Sequence, residues 1–356
     1  MKIFITGICG FVGSRVAKHI KSTHPDYEIF GLDNCSRSGS WTNLGPLQAL
    51  GITIYRGDIR VASDLETIPK ADFLIDAAAN PSVLAGIDGK TSSRQLVEHN
   101  LQGTINLLEY CKKYHAGFIL LSTSRVYSIP DLSQLEMLET NKAFSPETGQ
   151  DFPHGISPEG VNEAYSTLPP VSLYGSTKVT SEHLALEYGE TFGFPVWVNR
   201  CGVLAGAGQF GHPAQGIFAF WIHSFQENRP LKYIGFGGSG YQVRDCLHPN
   251  DLADMILIQL VEPADSQKPR IVNLSGGVEN SMSLAQLTDW CLKHVGANTV
   301  ENTNTERPFD IPWMVLDSAK AKAIWGWSPK LKIEDVLNEI ATFAKTQTDW
   351  CELSAR

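Results

Sequence analysis

The run KIFITGICGFVGSRVAKHI at the amino terminus constrains this chain more than any other stretch. An apolar, strand-like segment enters Gly7, Gly10 and Gly13, spaced GxxGxxG, and a helical pattern follows from about Gly13. A strand that turns tightly into a helix presents backbone N–H groups at the helix start. With the helix dipole they can hold a pyrophosphate. Further apolar runs follow at EIFGLD, ITIYRGD, DFLIDAA, GFILLSTS and PVWVNR, with helix-like stretches over 13–24, 92–114 and 176–191. Strands that are apolar throughout and alternate with helices form βαβ units. The predicted fold class is therefore α/β, a Rossmann-type doubly wound parallel sheet covered on both faces.

After about residue 200 Gly-rich loops interrupt the alternation, and RIVNLSG reads as one more strand returning to the sheet. The expected organisation is a dinucleotide-binding domain over 1–202 with a return segment 244–276. A smaller, interleaved α/β substrate lobe takes 203–243 and 277–350. The segment 128–171 shows no clear periodicity and is long for a connection, which marks it as a functional loop.

Composition narrows the function classes. With 356 residues, 42% hydrophobic and 19% charged, the chain has ordinary globular composition. A net charge of −9 without a Lys/Arg cluster argues against a nucleic-acid partner. Seven cysteines form no CxxC pair and the ten histidines no HExxH. Neither disulfides nor a metal site is expected, as in a reducing compartment. No apolar run reaches about 18 residues, so no membrane partner is expected and the location reads as cytoplasmic.

The strand EIFGLDN ends in Asp33 and Asn34, where a carboxylate accepts hydrogen bonds from the adenosine ribose hydroxyls of NAD and repels a 2′-phosphate. Arg37 lies close by and is the residue that would favour NADP instead. Asp58 and Ile59 of YRGDIR follow the third strand, where a side chain meets the adenine or simply closes a surface turn. In LYGSTK, Tyr174 and Lys178 share a helix face at i and i+4, so the ammonium is expected to favour the Tyr174 phenolate as general base. LLSTSRVY ends the fifth strand with Ser122, Thr123 and Ser124 at the crevice where open α/β sheets bind ligands.

Together the glycine turn, the strand-end hydroxyls and the YxxxK pair resemble the extended short-chain dehydrogenase/reductase family, the NAD-dependent epimerases and dehydratases of nucleotide sugars. The resemblance covers nearly the whole chain. It implies NAD as cofactor, held by Gly7, Gly10, Phe11, Val12, Gly13, Asp33, Asn34, Asp58, Ile59, Ala78 of AAAN and Asn100 of HNLQGTINLLE, with Tyr174 and Lys178. Thr123, Tyr174 and Lys178 take the catalytic places. Asn80, Ser124, Arg125, Gln215, Arg244 of QVRDCLHPNDL and Arg307 of ERPFDIP take places around the substrate, the last two at its diphosphate. A homodimer or homotetramer is the family expectation. LDNCSR, STSRVY, AQGIFAFW and NLSGGVENSMSL are most similar to the branch that epimerises CDP-sugars at C2.

Dehydratases of the family carry Asp-Glu directly after the catalytic Thr, an acid for the leaving hydroxyl and a base for the neighbouring carbon. Here those positions are Ser124 and Arg125, and a guanidinium stays protonated. What remains is epimerisation by transient oxidation, with a CDP-sugar preferred as partner and a UDP-sugar as the alternative. A 4-epimerase, an NAD(P)-dependent reductase and a non-catalytic cofactor sensor or scaffold stay open as other readings.

Overall fold

Ile3, Phe4 and Ile5 are all fully buried, yet Ile3 and Ile5 join one apolar cluster and Phe4 joins another. Successive strand side chains point to opposite faces, so a strand apolar throughout needs a cover on both. A computed structural model, which describes residues 1–87, 89, 91–211 and 216–355, supplies both covers. Helix Phe11–Thr23 and helix Pro249–Leu260 contribute Val16, Ala17, Ile20, Leu252 and Ile256 to the first cluster. Helices Gly103–Tyr114 and Ser172–Phe192 contribute Leu107, Leu108 and Ala185 to the second.

The sheet has seven strands in the order Ile271–Leu274, Val196–Cys201, Gly117–Thr123, Phe73–Asp76, Lys2–Thr6, Glu28–Asp33, Thr53–Arg56. All its pairings are parallel. The chain reverses its direction of travel across the sheet at strand Lys2–Thr6, which sits between the second strand and the fourth. A crevice opens at the carboxyl ends there, and the glycine turn lies in it.

Several expected boundaries shift for local reasons. The helix carrying YxxxK begins at Ser172, where Oγ accepts the Gly175 N–H at 3.1 Å, rather than at Ser176. Gly175 is no helix breaker; a Cβ there would stand 2.3 Å from the Arg125 carbonyl, so glycine lets the helix approach the strand end. The expected helix over 92–114 is interrupted by a π-helical turn, Glu98–Gln102, which contains Asn100. The return segment expected over 244–276 is divided. Strand Val243–Leu247 pairs in a second, four-stranded sheet with Val203–Leu204, Ser281–Ser283 and Trp313–Met314, and only the stretch from Pro249 lies with the main sheet.

The segment 128–171 folds into a short helix, Ile129–Gln134, and two small hairpins, Met137–Thr140 with Ala143–Pro146 and Ile156–Ser157 with Gly160–Val161. Its contacts run to the second lobe: Val161 N–H donates to Val315 O and Asp317 N–H to Val161 O, both at 2.9 Å. Among the described residues no helix is long and apolar enough to cross a membrane.

Candidate active site

A cleft of about 530 Å³ opens along the carboxyl ends of the strands, lined by Gly7, Gly10, Phe11, Val12, Gly13, Asp33, Asn34, Asp58, Ile59, Ala78, Asn80, Thr123 and Tyr174. Gly7 has φ +61°, and a Cβ on it would stand 2.9 Å from the Ala77 carbonyl. On Gly13 a Cβ would lie 2.3 Å from Gly7 O, so the helix start can pack onto the turn only without one. Gly10 would meet nothing but Gly7 O at 3.0 Å, which leaves its other side open to the cleft for a pyrophosphate.

At the far end of the turn the Asp33 carboxylate accepts N–H bonds from Cys9 at 2.8 Å and Cys35 at 2.7 Å. Burial raises its pKa, and those N–H bonds pull it back. Asp58 is fixed by Arg60 at 2.7 Å and Asn34 at 2.8 Å, and the Arg60 bonds hold its carboxyl well below the usual range. Arg37 lines the same end, with its guanidinium 6.0 Å from the Phe210 ring centroid. Phe210 stacks at 5.6 Å on Trp350, whose indole N–H donates to Gln209 O at 2.7 Å, so the carboxyl-terminal helix Trp350–Ala355 props this wall. The glycine cradle and the ribose-facing carboxylate suit NAD.

Asn100 is placed differently from the sequence expectation. It is buried outside the cleft lining, where Oδ1 accepts the Asn80 N–H at 2.8 Å and Nδ2 donates to Asn80 O at 3.0 Å and to Thr177 Oγ1 at 3.2 Å. It fixes the Ala78–Asn80 loop from behind. A buried Asp76, bonded by Thr6 at 2.8 Å and Thr104 at 3.2 Å, supports the same loop.

The chemical groups meet midway along the cleft. The Tyr174 phenol and the Thr123 hydroxyl line the cleft together and the Thr123 hydroxyl favours the ionised phenol, while Thr123 Oγ1 accepts the Arg125 backbone N–H at 3.2 Å. Burial pushes the phenol up to about 12, against the pull of Thr123 and of the Arg125 guanidinium. Arg125 thus adds a cation acting on Tyr174 that the helix spacing of Tyr174 and Lys178 does not encode. Lys178 is buried one turn further along the helix, and burial lowers its pKa while Asp76 and Glu182 offset its charge. Alternation along the strand separates Ser122 from Thr123, sending the Ser122 hydroxyl to Glu182.

Beneath Tyr174 the Glu182 carboxylate forms a buried ion pair with Arg200, Nη2 to Oε2 at 2.7 Å. Burial alone would lower the Arg200 pKa, but Glu182 and Tyr127 outweigh it. The Tyr127 hydroxyl donates to Asn273 Oδ1 at 2.7 Å and tightens the same network.

Toward the second lobe Arg244 pairs with the Asp310 carboxylate, and Arg125 and Arg307 lie close enough for their charges to act on Arg244 and on each other. Arg244 Nη2 donates to Asp310 Oδ1 at 2.8 Å and Arg125 Nη1 to Phe309 O at 3.1 Å. Burial pushes Arg125 down to about 9, with Arg244 and Arg307 adding to the effect and Asp310 opposing it. Three guanidiniums near a single carboxylate leave an excess of positive charge, suited to a diphosphate or another anion. Ser124 is buried in the turn preceding Arg125, and Gln215 lies outside the described residues.

Sequence reasoning missed the wall that Leu204, Gln209, Phe210 and Gly216 form. Its residues come from an aperiodic Gly-rich stretch, which signals a loop but not where the loop folds. Glu182 and Asp76 were missed because a single buried carboxylate has no spacing signature.

Comparison with known proteins agrees with this geometry. CDP-paratose 2-epimerase of Salmonella typhi is 30% identical over 343 residues, covering 94% of this chain and 96% of that enzyme. UDP-glucuronate 4-epimerase of Thermodesulfobacterium geofontis is 26% identical over 96% of this chain and 95% of its own. The solved UDP-glucuronic acid 4-epimerase of Bacillus cereus, in complex with UDP-glucuronic acid and NAD, superimposes with a TM-score of 0.76 at 25% identity, covering 97% of this chain and 99% of that one. Residues 3–275 match the NAD dependent epimerase/dehydratase family. The chain belongs to that family and is an NAD-dependent enzyme of nucleotide-sugar chemistry.

Proposed function

We propose that the enzyme inverts a sugar carbon of a nucleotide-diphosphate sugar by transient oxidation, with C2 of a CDP-sugar as the preferred target. The observation that carries the reading is the strand end facing Tyr174: a threonine hydroxyl and a guanidinium favour its ionised form, and Ser124 and Arg125 follow Thr123 where an elimination would need a further acid and base. An elimination needs a second acid–base group beside the reacting carbons, whereas oxidation and return need only one group that takes and gives back a hydroxyl proton. Bound NAD supplies the hydride acceptor and donor. Tyr174 Oη holds the proton, Thr123 orients the phenol, Arg125 favours its ionised form, and the cluster of Arg125, Arg244 and Arg307 anchors the diphosphate.

The CDP carrier and the C2 position draw support from the Salmonella relative, which is similar over almost its full length. The 4-epimerase relatives support a second reading, inversion at C4 of a UDP-sugar. Mass spectrometry of the small molecules released on denaturation, followed by incubation with a panel of CDP- and UDP-sugars, tests both. NAD together with turnover of a CDP-sugar is expected. Turnover restricted to UDP-sugars would replace the preferred reading by the second. Steady consumption of added NAD(P)H would replace both by a reductase.

A further inference from the structure

Cys9 and Cys35 are far apart in sequence, and the fold brings them to the two sides of one carboxylate. Cys9 lies inside the glycine turn and Cys35 follows the second strand; each donates its backbone N–H to a different oxygen of Asp33, at 2.8 and 2.7 Å. The two Sγ atoms and a carboxylate oxygen all fall within 4.8 Å of one another. Cys35 adopts this position with φ +53°, a left-handed conformation that a side chain adopts at a cost of about 1 to 2 kcal/mol. Their sequence neighbours, Gly10 on one side and Asn34 and Ser36 on the other, line the cofactor cleft. Both sulfurs are free thiols, Cys9 fully buried and Cys35 half-buried.

We propose that Cys9 and Cys35 form a reversible dithiol–disulfide pair that couples NAD binding to the redox state of a small disulfide such as oxidised glutathione. The accessible Cys35 thiolate attacks one sulfur of the small disulfide, forming a mixed disulfide and releasing one thiolate. Cys9 then passes its proton to the neighbouring Asp33 carboxylate, from which it reaches solvent, and attacks the Cys35 sulfur, closing the protein disulfide and expelling the second thiolate. Two protein thiols are oxidised, one small disulfide is reduced to two thiols, and two electrons pass between them. A disulfide demands a sulfur separation near 2.05 Å and a dihedral near 90°. Drawing Cys9 and Cys35 into that geometry moves both N–H groups that aim the Asp33 carboxylate, and with them the group that meets the ribose. Burial and the Asp33 charge raise the pKa of both thiols, so exchange is slow at neutral pH and quickens as pH rises.

The test uses the full chain with and without saturating NAD, exposed to oxidised glutathione at pH 8 and digested with trypsin. Each cysteine falls in a separate tryptic peptide, Ile3–Arg15 and Ser22–Arg37, which carries no other cysteine. The proposal expects the two peptides to be joined in the cofactor-free protein and NAD to slow the joining at least tenfold. In the oxidised protein the NAD dissociation constant should rise at least tenfold, and dithiothreitol should restore it. Cys35→Ser and Cys35→Ala should bind NAD as the reduced protein does and ignore the oxidant. Glutathione left on Cys35 without the Cys9 link, or a linked protein whose NAD affinity is unchanged, would overturn the proposal.

Discussion

Thr123 Oγ1 accepts the Arg125 backbone N–H at 3.2 Å, which ties Arg125 to the strand end that faces Tyr174, and the Arg125 charge favours the ionised phenol. Removing a positive charge that lowers a phenol's pKa raises that pKa. Arg125→Met should therefore cut turnover about tenfold at pH 7.5 and shift the rising limb of the rate–pH profile to higher pH. Tyr174→Phe should remove the limb itself and lower turnover by about 10² to 10⁴ with NAD still bound. A profile unmoved in Arg125→Met would mean that another group sets the Tyr174 ionisation.

The arginine cluster makes a binding prediction. A hydrogen bond to a charged group is worth about 1.5 to 3 kcal/mol, so Arg244→Ala or Arg307→Ala should each raise the nucleotide-sugar dissociation constant by more than tenfold and spare NAD. Asp310→Asn keeps an oxygen acceptor for Arg244 but removes the charge that offsets it, and should raise affinity for the anionic substrate without touching the cofactor. Calorimetric titration of the variants with CDP- and UDP-sugars checks all three.

Beneath the site the buried pair of Glu182 and Arg200 governs stability more than chemistry. Losing one partner of such a pair leaves an uncompensated charge, and Glu182→Ala should cost about 3 to 5 kcal/mol in denaturant unfolding. The double replacement Glu182→Leu with Arg200→Met should cost less than either single change. A Glu182→Ala protein as stable as the parent would contradict the network as described.

The parts of this architecture legible in the sequence are those set by short-range spacing. Gly7, Gly10, Gly13 and Asp33 follow one strand–turn–helix rule, and Tyr174 with Lys178 follows the period of a helix. The resemblance places Arg125 at the substrate, but its action on Tyr174 depends on how a short turn after the fifth strand faces a helix start closed by Gly175. Asn100 is placed at the cofactor by the resemblance of HNLQGTINLLE to the family's helix; the π-helical turn, which no spacing announces, sets its side chain behind the Asn80 loop. Cys9 and Cys35 come together only through the parallel pairing of the first two strands, which no local cysteine motif encodes.

His223 gives a pH signature. It is buried against Phe343 and Trp350, neither ring nitrogen has a hydrogen-bond partner among the described residues, and Glu227 Oε1 lies 3.9 Å from Nδ1. Burial depresses its pKa from 6.5 to about 4. The unfolded chain then takes up a proton first, so the stability tied to His223 is complete above pH 6.5 and is lost as pH falls toward 4, by about 3 kcal/mol. Thermal unfolding between pH 7 and 4 should show a shallower decline in His223→Phe than in the parent, and parallel curves would remove His223 from the account.

The most direct test of hydride departure and return follows a single hydrogen. With the correct nucleotide sugar, deuterium placed at the carbon to be inverted should be retained in the product, and reaction in heavy water should add none at any carbon. By the preferred reading that carbon is C2 of a CDP-sugar; retention with inversion at C4 would keep the mechanism and change the substrate. Solvent deuterium in the product, or loss of water from it, would contradict the account, because both need a proton shuttled to or from carbon by a second acid–base group beside Tyr174.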